Sequence, residues 1–268
     1  MTLPAAILLG IVQGLTEFLP VSSSAHLILA RAFFGWEMPA DAGLAFDVAL
    51  HIGTLAAILL FFRREIAAMT LALPNALSLA QDGPARLVRL IAIGTVPVVI
   101  VGLTLTDFIE RSLRSPGVAA GALAIGAALM LVAERAGRRQ RTEEHVTWVD
   151  ALVIGTAQAS ALIPGVSRSG STIAVGLLLG MRRDAAARFT FLLAIPAVLA
   201  AAGKEMLELR HAPLTADVVQ LFVVGVLVSA GVGYLTIKYF LRYLGGHSLD
   251  VFAYYRLALA ALTVWWLL

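Results

Sequence analysis

The sequence predicts an all-α polytopic membrane protein, with six transmembrane helices and two re-entrant helical hairpins arranged as an inverted-topology repeat. The first observation behind this prediction is composition: 60% of the 268 residues are hydrophobic and 14% are charged, whereas about a quarter of an average soluble domain is charged. The second is a set of long apolar segments. The third is a resemblance between two apolar regions that Pro, Gly and Ser interrupt.

Six segments are predicted to cross the membrane, because a spanning helix needs about 20 mainly apolar residues. In chain order they are residues 43–62, 87–106, 117–134, 187–203, 217–237 and 250–268. Polar or charged residues bracket each segment, as in FFRRE at 61–65 and RHAP at 210–213.

Two further apolar regions, residues 3–34 and 148–181, do not fit a continuous span. Each is broken in its middle by Pro, Gly and Ser, which predicts two half-length helices around a polar turn. Such a turn is tolerated at membrane depth only where it is buried in protein or lines a cavity. Both regions are therefore predicted to be re-entrant hairpins.

The two interrupted regions have similar sequences, GIVQGLTEFLPVSSSAHLI from Gly10 and GTAQASALIPGVSRSGSTI from Gly155. Gly-x-x-Gln opens both, and Pro followed by Ser-x-Ser comes later, with one gap between the two copies. Three spans follow each region. The chain thus divides into repeat one (residues 1–134), a charged linker (135–146) and repeat two (147–268). Because three is odd, the second repeat inserts upside down, and such folds place their site near the membrane interior at the repeat interface.

The distribution of Lys and Arg predicts the orientation, because cytoplasmic loops carry an excess of these residues. In this topology the residues of the richer side are Arg63, Arg64, Arg86, Arg89, Arg135, Arg138, Arg139, Arg141, Arg182, Arg183, Arg188, Lys238 and Arg242, and those of the other side are Arg31, Arg111, Arg114, Lys204 and Arg210. The richer side is predicted to be cytoplasmic, so the mouth of the first hairpin faces outward. The net charge of +3 then reflects these loops, and no nucleic-acid partner is expected.

The first interrupted region carries a polar pair, Gln13 and Glu17, which share one helix face at i and i+4, and Glu17 is ionisable. A carboxylate in a spanning segment costs about 2.5–3.5 kcal/mol on insertion scales, which makes Glu17 a functional candidate by default. The alternative is a carboxylate paired with a buried Arg for structural reasons alone.

Three serines and a histidine follow at the start of another apolar helix. Ser22, Ser23 and Ser24 are natural N-caps, and the free N–H groups of a helix N-terminus can bind an anion. One hydroxyl becomes a nucleophile if a base lies within reach. His26, one turn into the helix, is a candidate acid or base near neutral pH, although a lone histidine is more often structural.

The second interrupted region contains PGVSRSGST, residues 164–172. The planar guanidinium of Arg168 matches phosphate oxygens bidentately, and glycine at positions such as Gly170 lets backbone approach closely. The hydroxyl-bearing neighbours are Ser167, Ser169, Ser171 and Thr172. The alternative is an arginine that pairs with Glu17 purely for stability.

Two residues, Asp47 and His51, are weaker candidates for the site. Asp47 and His51 lie at i and i+4 near the outer end of the first span, where they support the site or merely sit in the interfacial zone. Arg256, in the last span, could extend its head group to the membrane surface. Together, the two regions predict an anion site for phosphate or diphosphate, with groups suited to phosphoryl chemistry.

QGLTEFLPVSSSAH together with PGVSRSGST strongly resembles the bacterial undecaprenyl-diphosphate phosphatases, also called bacitracin-resistance proteins, and FDVALHIGTLAAI from Phe46 resembles their first full span. The resemblance covers essentially the whole chain. It implies hydrolysis of undecaprenyl diphosphate to the monophosphate carrier lipid and inorganic phosphate, which recycles the carrier for peptidoglycan, maintains cell shape and confers bacitracin resistance. It also implies six spans and two re-entrant regions, in the bacterial inner membrane.

The resemblance implies catalytic roles for Glu17, Ser22, Ser23, His26 and Arg168 and substrate-binding roles for Gln13, Ser167, Ser169, Gly170 and Thr172. It implies a divalent cation, Mg²⁺ or Ca²⁺, held by Glu17 with Gln13. Gln13 stands where many members have Glu, and the lost carboxylate argues against a metal held by two acidic residues. We hypothesise that Ser23 attacks phosphorus while His26 handles the proton, although the nucleophile, serine or histidine, stays open. The prediction for partners includes a homodimer of this chain.

The sequence leaves two other functional classes to compare with a hydrolase. Inverted repeats with broken helices are typical of secondary transporters, so the same anion site could carry a phosphorylated lipid across the membrane as a flippase. A pure transporter would release no phosphate. A structural membrane subunit predicts no clustered Arg, Glu and His within apolar regions, which fits the two interrupted regions poorly.

Overall fold

The computed structural model describes residues 1–36, 40–77, 83–209 and 216–268, and the described residues are helical, with no β-strand. The α-helices are α1 (Leu3–Thr16), α2 (Ser23–Phe34), α3 (Ala40–Phe61), α4 (Arg63–Leu71), α5 (Gly83–Ser112), α6 (Pro116–Ala136), α7 (Trp148–Ser160), α8 (Arg168–Leu178), α9 (Arg183–Leu209), α10 (Ala216–Leu244) and α11 (Asp250–Leu267). Arg210 and the RHAP boundary at 210–213 lie outside the described residues.

Several of these helices are long and apolar enough to cross a membrane, which confirms the all-helical, polytopic class. Among the described residues, four helical stretches qualify alone: Gly83–Ser112, Pro116–Ala136, Arg183–Lys204 and Val218–Leu244. A fifth span results if α3 and α4, bent by 78° where they meet, count together. Four of the six predicted segments fall within helices, and the segments 43–62 and 250–268 each end one residue beyond their helix. The helix of the last segment, α11, is not among those that qualify.

Both interrupted regions form two short helices around a break. The first break, residues 17–22, joins α1 to α2, and the second break, residues 161–167, joins α7 to α8. Ser22 and Ser167 are the N-caps that end the two breaks. They follow Gln13 and Gln158 at identical spacing, so the predicted gap between the two copies is wrong. The two prolines simply occupy neighbouring positions in an ungapped alignment.

The helices of residues 1–134 pack on those of residues 147–268. α1 contacts α10, and α7 makes the corresponding contact with α5. Small residues permit these close crossings: a Cβ on Gly14 would lie 2.9 Å from the backbone nitrogen of Gly233, and one on Gly155 would overlap the backbone of Gly94. α3 also packs on α10, and α6 on α11. This interleaving brings the first and second breaks within reach of one side chain, Arg256.

Ion pairs and hydrogen bonds connect the charged linker to the neighbouring helices. Arg141 bonds both carboxylate oxygens of Asp150, at 3.2 and 2.5 Å, and Thr147 caps α7 reciprocally with Asp150. Burial alone would raise the pKa of Asp150, but the hydrogen bonds from Arg141 and Thr147 outweigh it and hold that pKa below its usual value. Nearby, Glu134 accepts from Arg183 at 2.8 and 2.5 Å. These contacts set the ends of α6, α7 and α9 against one another.

Arg256 of α11 is fully buried, with 0% of its surface exposed, so the expectation that its head group reaches the membrane surface is wrong. Its guanidinium instead donates to main-chain carbonyls of α6 and of both breaks. The acceptors are the oxygens of Leu123 (3.1 Å), Ala122 (3.1 Å), Pro20 (3.4 Å), Gly165 (3.0 Å) and Val166 (3.1 Å). Arg256 satisfies carbonyls that a broken helix leaves without donors, and the same side chain ties the two breaks together.

Replacing Arg256 with Met is expected to lower the free energy of unfolding by about 3 kcal/mol or more, since each buried acceptor left without a donor costs roughly 1–3 kcal/mol. Thermal unfolding of purified protein in detergent measures the effect. Arg242→Met is the matched control because Arg242 is exposed, and a surface change is usually within about 0.5 kcal/mol. Equal unfolding midpoints for the two variants would contradict this role of Arg256.

Candidate active site

The two interrupted regions contact each other directly. The backbone N–H of Gly165 donates to Ser24 Oγ at 3.4 Å, and Ser169 Oγ donates to the carbonyl oxygen of Leu19 at 3.0 Å. Each bond joins a residue of one repeat to a residue of the other. The candidate site therefore lies where the two interrupted regions meet.

Glu17 stands at the centre of this junction and is 7% exposed. Arg168 Nη2 donates to Glu17 Oε1 at 2.6 Å, and Ser23 Oγ donates to Glu17 Oε2 at 2.6 Å. Gln13 Nε2 donates to Oε2 at 3.1 Å, and His51 Nε2 lies 3.5 Å from the same oxygen. The carboxylate thus joins an arginine, a serine and a histidine that lie far apart in the sequence.

Ser23 and Arg168 reach Glu17 because each is the first residue of its half-helix. Ser22 and Ser167 precede them as N-caps, accepting from the backbone N–H of Ala25 (3.4 Å) and Gly170 (3.1 Å). Both caps have positive φ, 74° and 68°, a conformation that residues other than glycine rarely adopt and that clusters at functional sites. Two helix N-termini, with their free N–H groups and partial positive charge, point into one region.

A cavity of about 250 Å³ opens beside Glu17. Its polar wall consists of Thr16, Glu17, Ser22, Ser23, Ser24, His51, Gln158, Ser167 and Arg168, and its apolar wall includes Val98 of α5 and Ala197, Val198, Ala201 and Ala202 of α9. One side of the cavity can bind a charged head group, and the other can bind hydrocarbon.

Two buried side-chain atoms of cavity-lining residues have no hydrogen-bond partner in the described part of the chain. They are Arg168 Nη1, a donor, and Gln158 Oε1, an acceptor. Buried polar groups are normally satisfied, so both atoms are suited to meet a ligand. For Arg168 that ligand would be an anion, since its other terminal nitrogen already bonds Glu17.

Other predicted site residues lie outside the cavity lining. His26 directs Nδ1 to the carbonyl of Ser22 (2.7 Å) and Nε2 to Tyr255 Oη (2.8 Å), so neither ring nitrogen faces Ser23. Thr172 is fully buried and donates to the carbonyl of Arg168 at 2.6 Å. Thr172 therefore contacts the backbone behind the site.

Gln13, Ser169 and Gly170 also lie behind the cavity wall. Gln13 bonds Glu17, and Ser169 bonds the first break. At Gly170 an added Cβ would come within 2.8 Å of Arg256 Nη1, so this glycine makes room for the buried arginine. Of the five residues predicted to bind substrate, only Ser167 lines the cavity.

The side chains of Asp47 and His51, predicted to act together, contact different partners. His51 reaches Glu17 and lines the cavity. The carboxylate of Asp47 instead pairs with Arg31 at 2.6 Å and with Arg114 at 2.6 Å. Asp47 contributes only its backbone carbonyl, which holds His51 Nδ1 at 2.7 Å and so orients the ring.

Sequence reasoning missed Gln158, Arg256 and Tyr255 as parts of the site. The repeated Gly-x-x-Gln was the available signal for Gln158, because Gln13 occupies the equivalent position. A charged residue inside a span is functional or paired by default, which was the signal for Arg256. Tyr255 carried no comparable signal.

Together, the fold and the site define a class: a polytopic membrane protein with a cavity between two helix breaks, where a serine, a carboxylate and an arginine adjoin an apolar wall. Comparison with known proteins narrows this class. The family model described as "Bacitracin resistance protein BacA" matches residues 6–262, and the chain belongs to that family.

Curated relatives match over nearly their whole length. The chain is 48% identical over 260 residues to an undecaprenyl-diphosphatase of Rubrobacter xylanophilus, covering 96% of this chain and 95% of the relative. It is 48% identical over 255 residues to an undecaprenyl-diphosphatase of Nitrosococcus oceani, covering 95% of each. It is 47% identical over 266 residues to undecaprenyl-diphosphatase 2 of Stutzerimonas stutzeri, covering 97% of each.

Proposed function

We propose that this protein hydrolyses undecaprenyl diphosphate to undecaprenyl phosphate and inorganic phosphate, and thereby recycles the carrier lipid for peptidoglycan synthesis and confers bacitracin resistance. The observation that carries the proposal is the bonding of Ser23 and Arg168 to Glu17, each at 2.6 Å, beside a cavity with an apolar wall. Its relatives are undecaprenyl-diphosphatases. The reaction class is hydrolysis of a phosphoric anhydride.

Substrate binding would exchange the partners of Arg168. The guanidinium holds Glu17 through one nitrogen and has another without a partner, so a diphosphate can engage it bidentately. As Arg168 turns toward phosphate, Glu17 loses its strongest cationic partner and becomes a better base. Glu17 Oε2 already accepts from Ser23 Oγ. The bound substrate thus completes the activation of the serine.

In the first step Ser23 Oγ bonds the terminal phosphorus, its proton passes to Glu17, and the bond from that phosphorus to the bridging oxygen breaks. Undecaprenyl phosphate leaves as the anion. Water then attacks the phosphoserine, Glu17 returns its proton to Ser23 Oγ, and the phosphate departs as dihydrogen phosphate. Arg168 and the two helix N-termini stabilise charge on the transferring group.

The two histidines, His26 and His51, have different roles in this proposal. His51, 3.5 Å from Glu17 and oriented by the backbone of Asp47, is positioned to support the carboxylate. The role of His26 in moving the proton stays a prediction, because its ring nitrogens bond Ser22 and Tyr255. Rearrangement of His26 toward the phosphate would be needed for that role.

The donor set fits a divalent cation that is shared with the substrate. The described residues contain no group of three His, Cys, Asp or Glu side chains able to hold a metal alone. Mg²⁺ is usually bound by one or two carboxylates together with substrate phosphates. Glu17, which lines the cavity, would hold Mg²⁺ or Ca²⁺ there, and the ion would neutralise diphosphate charge. Gln13 Oε1, behind the cavity wall and without a partner among the described residues, would support Glu17 in that role.

The remaining architecture is part of the same proposal. Six spans, two re-entrant hairpins and an inverted repeat, divided as 1–134 and 147–268, are supported by the matching α1–α10 and α7–α5 contacts. The lipid tail would follow the apolar wall between α5 and α9 into the bilayer. We place the protein in the bacterial inner membrane with the site facing outward, on the strength of the loop charges. A homodimer stays a prediction.

Phosphate release from a long-chain isoprenyl diphosphate by detergent-purified protein tests the function. We expect release that a chelator suppresses and that added Mg²⁺ or Ca²⁺ restores. A transporter or flippase without enzymatic activity would bind the lipid and release no phosphate. Release that is indifferent to the chelator would overturn the cation while leaving the hydrolase in place.

A further inference from the structure

We infer that Gln158 is a water-positioning residue, whose side-chain oxygen orients the water that completes hydrolysis. The inference rests on the proposed function and assigns a residue for which the mechanism above has no role. Gln158 lies at the end of α7, is 2% exposed and lines the cavity with Ser23 and Arg168. The question is what its amide can do there.

The orientation of the amide is set by a backbone group. Gln158 Nε2 donates to the carbonyl oxygen of Leu193 on α9 at 3.4 Å. Reversing the amide would bring two acceptor oxygens together, so the oxygen must lie on the other side. Gln158 Oε1 is buried and without a hydrogen-bond partner in the described part of the chain, and therefore requires a donor from whatever enters the cavity.

That donor is water and not the diphosphate. Phosphate oxygens at neutral pH are mainly acceptors, and an amide oxygen repels them. Two residues that line the cavity thus carry complementary buried atoms without a partner among the described residues: Arg168 Nη1, which needs an anion, and Gln158 Oε1, which needs an O–H group. A hydrolase brings these two ligands together, a phosphoryl group and a water.

Comparison with the other repeat supports this role. Gln13, the equivalent residue, gives its amide N–H to Glu17. The position equivalent to Glu17 in repeat two is Leu162, so Gln158 has no neighbouring carboxylate to serve. A neutral amide cannot take a proton, and so it contributes by orienting water, as glutamine does for the attacking water in some phosphoryl-transfer enzymes.

The test measures how the phosphoryl group divides between water and methanol. Purified full-length protein hydrolyses an isoprenyl diphosphate in the presence of added methanol, and the ratio of methyl phosphate to inorganic phosphate is determined. We expect Gln158→Ala to raise this ratio at least about fivefold and to lower kcat about 10- to 100-fold, since misplaced reactants cost up to about 10² in rate. KM should change by less than about twofold.

Gln158→Met is the second variant, because it preserves the size of the side chain if the smaller alanine unfolds the protein. Gln140→Met is the matched control, since Gln140 is an exposed glutamine in the linker. A lower kcat with an unchanged product ratio would mean that Gln158 is structural, and a raised KM with an unchanged ratio would mean that it binds substrate. A shifted Mg²⁺ requirement with an unchanged ratio would mean that it binds the cation.

Each of those three outcomes overturns the inference, as does a variant that behaves like Gln140→Met. The proposed function fails in a distinguishable way, because wild-type protein would then release no phosphate in the same assay.

Discussion

Arg168→Ala is expected to lower kcat/KM at least about 10³-fold, the range observed when a charge-stabilising arginine is removed from phosphoryl-transfer enzymes. Arg168 is the only described arginine that lines the cavity, and its Nη1 has no hydrogen-bond partner among the described residues. Lysine keeps the charge but not the planar fork, so Arg168→Lys should recover only part of the loss. Phosphate release over a range of substrate concentrations measures both variants.

The same substitution also affects folding, because it leaves Glu17 buried without its ion-pair partner. Breaking a buried pair costs about 3–5 kcal/mol. The double variant Arg168→Ala with Glu17→Gln removes the unpaired charge and should recover part of the unfolding midpoint without recovering activity. If purified Arg168→Ala hydrolysed the lipid near the wild-type rate, the anion-clamp role would fail. If activity returned in the double variant, the loss would be one of folding.

The convergence of two distant sequence segments was predictable because each combined a helix break with polar residues that the membrane interior penalises. Glu17 was singled out by the cost of a charge in an apolar segment and Arg168 by the match of its guanidinium to phosphate oxygens, and the structure joins them at 2.6 Å. The alternative for Glu17 was a structural pair with a buried arginine, and the alternative for Arg168 was a structural pair with Glu17. The pair exists, and the unpartnered Arg168 Nη1 is what a purely structural pair leaves unexplained.

What could not be predicted was the direction in which each side chain points. Sequence spacing placed His26 one turn from Ser22, yet its ring turns to Tyr255, which is distant in sequence. Thr172 and Gly170 stand in the same motif as Arg168, but Thr172 contacts Thr190 and Gly170 lies against Arg256, and neither lines the cavity. A motif records which residues are near one another, whereas tertiary packing decides which of them line a cavity.

Arg256 illustrates the same limit. A lone arginine near the end of an apolar span can extend to the surface or stay buried, and its own helix does not distinguish the two. The deciding partners are carbonyls of Pro20, Gly165 and Val166, which are free because both breaks interrupt helical bonding. Only the joint placement of α6, α11 and the two breaks makes burial favourable.

Glu17→Gln is expected to lower kcat about 10²- to 10⁴-fold, the usual contribution of a general base. Glutamine has nearly the same shape and can still accept from Ser23 or Arg168, but it cannot take the serine proton. Glu144→Gln is the matched control, because Glu144 is exposed in the linker. Initial rates of phosphate release compare the two variants with wild type.

Anion affinity separates this role of Glu17 from that of Arg168. Glu17 neutralises the guanidinium in the substrate-free protein, so removing its charge should leave Arg168 free for phosphate. Competitive inhibition by inorganic pyrophosphate should therefore be as strong in Glu17→Gln as in wild type, or stronger, even though turnover is lost. In Arg168→Ala both should be lost. Weakened pyrophosphate inhibition in Glu17→Gln, or more than about a tenth of wild-type kcat, would refute Glu17 as the base, because a group that only shapes the site changes binding before it changes chemistry.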